Sequence, residues 1–406
     1  MCGPPPGWPS TGVERPSGNR PARPSDGGFS ASGAHAPNVR CAPVLEATTS
    51  RLTPPRFQTI SRTAPAPSAM TDPADLSAIR CWIVSESKAG TIAQCRGVAE
   101  KLGVAAETRL VQRPDPAKSG LARRLNRRWT HIRNVHLNRI RPPWPELAIS
   151  CGRQAEPAVM AATRRSGGSI FTVHLQVPTV GFDRFDLCFV GRHDWRPDFD
   201  GRDDVLPMVG APHRVDAATV AGHRAAAEQR FGALPGRRAA VMIGGPNPGY
   251  GYSPERIDAI IAQLRGLQAE GWSLLVTTSR RSDPAVLPRL QQALAGDRGF
   301  VWDRTGESPY FQYLAIADAV LVTVDSITMT CEAASTGLPV FSIPLDETPG
   351  PYLEKFHRFH RDMQETLGLT RPFAGVIEPY AYTPLDEAGR IAGIIRDRLA
   401  ARPRRP

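Results

Sequence analysis

No apolar run in this 406-residue chain approaches the ~20 residues that a helix needs to cross a bilayer, and no secretory signal pattern opens it. A soluble or peripheral protein is therefore expected. Disulfides and structural zinc are as poorly provided for. The seven cysteines, at 2, 41, 81, 95, 151, 188 and 331, are odd in number and widely spaced, with no C-x-x-C pair and no histidine at zinc spacing. That usage fits a reducing, cytoplasmic compartment. Also missing are the P-loop, the G-x-S-x-G elbow, the protein-kinase signature and any nucleic-acid motif. One D-x-D occurs, Asp198–Phe199–Asp200, but it sits in a loop rich in Asp, Pro and Gly and precedes no single-domain nucleotide sheet. It reads as solvated loop chemistry rather than a metal site, so neither a metal nor a cofactor is expected.

What is present suffices for two domains. The chain is 41% hydrophobic and 22% charged, and domains average roughly 150 residues. Residues 1–69 hold 13 of the 40 prolines, seven Arg, three acids and no Lys, without apolar periodicity. Such a segment cannot offset its ordering entropy, so residues 1–76 are expected to be a disordered leader. Met70, followed by "TDPADLSAIRCWIVSE", reads as a natural start; the alternative, a transit peptide, is disfavoured by the repeated prolines.

The net charge of +11 is concentrated: between Arg109 and Arg141 stand ten Lys or Arg against one acid, Asp115. Here "GLARRLNRRWTHIRNV" spaces Leu121, Leu125, Trp129 and Ile132 as one apolar helical stripe flanked by Arg123, Arg124, Arg127, Arg128 and Arg133. A basic amphipathic helix carrying a tryptophan suits an anionic lipid surface. The same stripe would also dock an ordinary surface helix on the core, and the arginines would also suit another polyanion. The expected membrane contacts are Arg123, Arg124, Arg127, Arg128 and Trp129, with no nucleic acid as partner.

From residue 80 the chain alternates β-rich runs with helical patterns, which predicts an α/β fold with parallel sheets covered on both faces. Strands are expected at 81–86, 106–112, 146–150, 169–177 and 185–190, with helices at 91–102 and 154–165. "LPGRR" at 234–238 marks a domain junction. The second half repeats the grammar, with strands at 239–245, 273–279, 300–303, 319–324 and 339–345. Its helices follow Ser253 and Pro254, favoured at a helix start, and continue at 284–295, 309–316, 327–336, 351–367 and 385–400. The architecture expected is two doubly wound domains, 77–235 and 236–380, facing one another across a cleft. Residues 381–406 would pack back on the first.

Three turns of the second half fall at carboxyl ends of strands, where such sheets bind ligands. "GGPN" offers Gly244, Gly245 and Asn247; "TTSRR" offers Thr278, Ser279 and Arg280 or Arg281; "DSIT" offers Ser326 and Thr328 at a helix start. Glycines admit close approach, hydroxyls donate, arginine clamps a diphosphate, and a helix N-terminus supplies its dipole. Ser326 alone is also an ordinary N-cap, and Glu332 an ordinary solvated helix residue. Glu332 can instead accept from a sugar or ribose hydroxyl, while Glu307 and Tyr310 can hold a base or ribose. In the first half "SESKAG" gives Lys88 and Gly90, and "SCGRQ" gives Gly152 and Arg153, each phosphate-compatible and each explicable as a turn. A sugar transferase also needs a general base; His174 and the His193–Asp194 pair are the candidates, with a structural histidine as the plainer reading.

The ordered series "SESKAGTIAQCRGVAEKLG", "ISCGRQAEPAVMAATRR", "FTVHLQVP", "GAPHRV", "IGGPN", "LLVTTSRR", "WDRTGESPYFQYLAIADAVLVTVDSITMTCEAASTGLPV" and "RPF" resembles the mitochondrial-fission ELM-type (elongated mitochondria) family over about residues 79–400. It departs from the family at "SESKAG", where an Asp-Gly pair usually precedes the Lys-Ala-Gly. Bacterial members look like GT-B glycosyltransferases. The resemblance implies two facing Rossmann-like domains, a nucleoside-diphosphate sugar on the carboxyl-terminal one, the acceptor on the amino-terminal one, and no catalytic metal. By that analogy Ser326 and the amides after it hold the diphosphate, Arg280 neutralises it and Glu332 binds ribose. The function expected is transfer of a sugar from a nucleoside-diphosphate donor to an envelope lipid or glycan, peripherally on the inner, cytoplasmic face of the membrane. The alternatives are a nucleotide-sugar epimerase of the same fold and a non-catalytic, membrane-associated fission or recruitment protein.

Overall fold

Apolar runs ended by glycine or polar turns become buried parallel strands wherever a helix follows each one and returns the chain to the same edge. The structure, a computed structural model, describes residues 76–112, 120–134 and 140–402. The leader and the side chains of Arg123 and Arg127 lie outside the described residues.

The first sheet is built from β1 (Cys81–Glu86), α1 (Ala89–Leu102), β2 (Ala106–Val111), α2 (Gly120–Ile132), β3 (Leu147–Cys151), α3 (Glu156–Arg165), β4 (Phe171–Leu175), β5 (Leu187–Gly191) and β6 (Val205–Met208). Its six strands are all parallel in the order β2-β1-β3-β4-β5-β6, so the winding reverses between β1 and β3. A further helix, α4 (Ala217–Phe231), follows the sheet. Its alanine-rich run has weak periodicity, and Asp216 starts it by accepting from the Thr219 N–H at 2.7 Å.

The rest of the chain, which builds the second sheet, runs through β7 (Arg238–Ile243), β8 (Tyr250–Gly251), α5 (Pro254–Ala269), β9 (Ser273–Thr278), α6 (Val286–Leu294), β10 (Gly299–Val301), α7 (Tyr310–Ile316), β11 (Ala319–Thr323), α8 (Ile327–Ala334), β12 (Val340–Ile343), β13 (Asp346–Glu347), α9 (Pro351–Arg361), β14 (Arg371–Pro372) and α10 (Glu387–Ala401). The order of this sheet, β10-β9-β7-β11-β12-β14, reverses between β7 and β11. β8 and β13 form a small antiparallel ribbon beside it. Helix α9 continues beyond Arg361 as one wider turn to Thr366 instead of running as a single α-helix to 367.

The chain crosses between the two sheets twice. Helix α4 packs through Ala227 and Phe231 into the core of Tyr313, Leu314 and Ile316, and so covers the second sheet. Helix α10 returns to the first, where Ile391, Ala392 and Ile395 join Cys95, Val98 and Leu102. The crossing segments bond to each other and to α8: the Val209 N–H donates to Glu387 at 3.1 Å, and His213 pairs with Ser335 at 3.2 Å. This is a GT-B-like arrangement of two facing Rossmann-like domains.

Helix α2 is not docked by its stripe. Leu121, Leu125 and Trp129 are 72%, 52% and 67% exposed, and Arg124 and Arg128 are exposed beside them. The excursion bearing it is tied at its base, where the Asn134 side chain bonds both the N–H and the C=O of Gln112 at 2.7 and 2.8 Å.

Candidate functional site

In a doubly wound sheet, helices leave in opposite directions at the point where strand order reverses, and the gap between them opens at the carboxyl ends. Both sheets present that rim to a shared cavity of about 510 Å³. Lys88, Gln176, Gly191 and His193 line the side of the first sheet; Asn247, Arg281, Ser326, Thr328 and Lys355 line the other.

The second wall is organised by Asp325. The chain leaves buried β11 with Thr323 and turns, which brings the Asp325 side chain under the end of β7, fully shielded from solvent. Its carboxylate accepts from the Gly245 N–H at 2.9 Å, the Tyr252 hydroxyl at 2.8 Å, the Thr323 hydroxyl at 2.6 Å and the Arg281 guanidinium at 3.0 Å. Burial, then the Asp325 charge, pushes the Tyr252 phenol up, so Tyr252 remains a donor.

Ser326, directly after that anchor, accepts from the Met329 N–H at 3.3 Å and caps α8. The amino end of α8 therefore opens into the cavity with its dipole positive. Asn247 lines the cavity too, but its side chain is occupied by its own turn, accepting from Gly249 and Tyr250 and donating to the Asp325 C=O.

The two glycines have a packing reason. A Cβ on Gly244 would overlap the Asp325 carboxylate, and one on Gly245 would overlap the backbone at Arg281. Their absent side chains admit protein atoms.

Of the two arginines, Arg281 lines the cavity and bonds Asp325 and the Gly245 C=O, at 3.0 and 3.1 Å. Arg280 is exposed and is not among the lining residues. Successive residues in a turn point differently, so the dipeptide alone could not distinguish them. Thr278 is buried and receives Arg304 at 2.9 Å, while the Ser279 C=O receives the same guanidinium at 2.7 Å. These two residues brace the turn.

Glu332 lies further along α8, where its carboxylate accepts from the Tyr310 hydroxyl. Burial pushes the Glu332 carboxyl up to about 7, against the lowering effect of that hydrogen bond. Neither residue is among those lining the cavity, and Glu307 is exposed in the turn before α7.

On the first wall, Lys88 precedes α1 and pairs with Glu86 at 2.6 Å. Gly90 and Arg153 are exposed; Gly152 turns the chain after β3 at φ +81°. None of the three lines the cavity. His174 is wholly enclosed in the first domain: its Nδ1 lies 2.9 Å from the Ser150 hydroxyl, and its ring stacks on Phe185. Burial lowers its pKa to about 3. A ring so enclosed meets no ligand in the cavity, which corrects its sequence-based expectation as a base.

His193 and Asp194 do reach the cavity wall. Burial is the main force lowering His193 to about 4, opposed by Asp194 and reinforced by Lys355 and Arg358. Asp194 pairs across the cleft with Lys355 of α9 at 2.6 Å, and Arg358 donates to the His193 C=O at 2.9 Å. Lys355 and Arg358 went unnoticed in the sequence because they belong to an amphipathic helix far along the chain.

Fold and site thus define a GT-B-like protein with an interdomain cleft. Residues 89–399 match the family described as Mitochondrial fission ELM1, and the chain belongs to that family. It is 29% identical over 282 residues to Mitochondrial fission protein ELM1 of Arabidopsis thaliana, covering 64% of this chain and 65% of the plant protein. The chain thus spans just under two thirds of that relative's length. An uncharacterized protein of Rickettsia prowazekii (strain Madrid E) is 22% identical over 289 residues, 62% of this chain and 79% of the other. Among solved structures, the UDP-GlcNAc 2-epimerase from Methanocaldococcus jannaschii superposes with a TM-score of 0.50 at 10% identity, covering 78% of this chain and 99% of its own. That likeness is one of fold alone.

Proposed function

We propose that this protein is a GT-B glycosyltransferase that moves a sugar from a nucleoside-diphosphate donor to a lipid or glycan of the cell envelope, at the cytoplasmic face of the membrane. The observation that carries this reading is the amino end of α8, opening into the interdomain cavity with Arg281 and Lys355 beside it. Charge that develops on a departing diphosphate is stabilised there by the α8 dipole and two cations already fixed in place by Asp325 and Asp194. Ser326 and Thr328, which line the cavity, donate to the phosphates. Lys88 and His193 face the acceptor, and no metal is needed. The exposed apolar stripe of α2, flanked by arginine, supports the membrane contact.

The fold likeness to an epimerase supports a second reading, interconversion of free sugar nucleotides in the same cleft. A thermal-shift panel on the full chain with uridine, guanosine, adenosine and cytidine diphosphates and their sugar conjugates tests both. Ligand at a hundred times its dissociation constant adds ~2.7 kcal/mol, a shift of a couple of degrees at this size. One base should shift the protein, and Arg281→Ala should abolish the shift. Silence across the panel would sink both readings and leave a membrane-bound recruitment protein. Conversion of a bound sugar nucleotide to its epimer without acceptor would select the second reading.

A further inference from the structure

Opposite the α8 amino end stands a residue that no motif singled out. Gln176 directly follows β4, and its backbone has φ +94°, one of two positive values at non-glycine residues among those described. Its N–H donates to the Phe189 C=O of β5 at 2.8 Å, which holds the turn in this conformation. Its side chain lines the cavity with Lys88, Gly191 and His193, and no described residue hydrogen-bonds its amide. Strain of this kind persists only where neighbouring structure over-determines it, and it gathers at ligand-contacting positions.

The two carboxylates that line the cavity are engaged. Asp194 is held by Lys355, and Asp325 by four donors. An uncharged amide with a free donor and a free acceptor matches a ligand group that both donates and accepts, as a sugar hydroxyl does. We infer that Gln176 is the residue that reads the sugar of the donor, bonding its hydroxyl or N-acyl groups while the diphosphate rests at α8. This inference rests on the proposed donor site and assigns its sugar subsite to the first domain.

The geometry explains why the backbone is bent there. With ordinary negative φ the Cα–Cβ vector after β4 would take another direction, so the backbone conformation sets how Gln176 meets the cavity. Replacement by glycine is also structurally mild, because glycine adopts positive φ without steric penalty.

The test is calorimetric titration of the full chain, parent and Gln176→Gly, with the nucleoside diphosphate and the matching sugar conjugate that give the largest thermal shift. The variant should bind the conjugate about tenfold more weakly, the loss expected for one or two hydrogen bonds. Binding of the bare diphosphate should stay within about twofold. Gln176→Ala, which keeps a Cβ but no amide, should behave alike. Equal weakening of both ligands, or no weakening of either, overturns the sugar-reading role while leaving the donor site intact. A parent that binds neither ligand overturns the donor site itself.

Discussion

Arg281 reaches into the cavity by lying 3.0 Å from a carboxylate that is wholly shielded from solvent, that of Asp325. The contact joins the turn after β9 to the turn after β11, two loops on either side of β7. One partner is a half-exposed arginine and the other a buried acid with three further donors, so the two residues differ in what their removal should do.

Asp325→Asn should destabilise the fold by about 3 kcal/mol, since an amide turns one of its faces into a donor against donors and leaves Arg281 without its counter-charge. Arg281→Ala should cost only about 1 kcal/mol, because its guanidinium is half in water and Asp325 keeps three partners. Urea unfolding of the two variants measures the difference, and equal losses would contradict the hub role of Asp325.

Acid should weaken the protein through its buried histidines. Burial lowers His174 to about 3 and His193 and His213 to about 4, while in the unfolded chain each titrates near 6.5. The unfolded state therefore binds protons first, so stability present above pH ~6.5 is lost as pH falls toward 4. Each ring contributes up to about 3 kcal/mol. His213→Asn, measured by urea unfolding at pH 7 and 4.5, should flatten the profile relative to the parent; an unchanged slope would remove His213 from the account.

Glu332 has the opposite sign. Burial raises its folded pKa to about 7, so its contribution is full below its unfolded pKa and is lost as pH rises through 7. Glu332→Gln should gain on the parent between pH 5 and 8 by on the order of 2 kcal/mol. Parallel profiles would mean that Glu332 is charged throughout.

Helix α2 should matter to membranes and not to folding. Leu121→Ser with Trp129→Ser should leave thermal stability nearly unchanged, as expected of exposed side chains, and should abolish sedimentation with vesicles of phosphatidylcholine and phosphatidylglycerol. Arg124→Gln with Arg128→Gln should weaken that sedimentation and its salt dependence, each charge contributing roughly 1 kcal/mol near an anionic surface. Sedimentation that survives all four changes would place the membrane contact elsewhere.

Much of this was legible along the chain because it is local. Apolar runs, glycine turns and caps at Ser253 and Ser326 specify strand–turn–helix units over a few residues, and right-handed units of that kind stack into parallel sheets. The placement of "GGPN" and "DSIT" on adjacent strand ends followed from the same grammar. Other facts depend on groups far apart in sequence. Burial encloses His174 and brings His193 to the wall, though both are candidate bases in the sequence. A turn's direction selects Arg281 over Arg280. Long-range packing sets α4, within the expected first domain 77–235, against the second sheet instead, while α10 returns to the first as its position in the chain predicts. The sequence by itself determined the two sheets and their ligand-bearing rims, since periodicity and turn chemistry act over neighbouring residues. Only the tertiary structure decided which side chains face the cavity, since charge pairing, burial and the positive φ of Gln176 arise when distant segments meet.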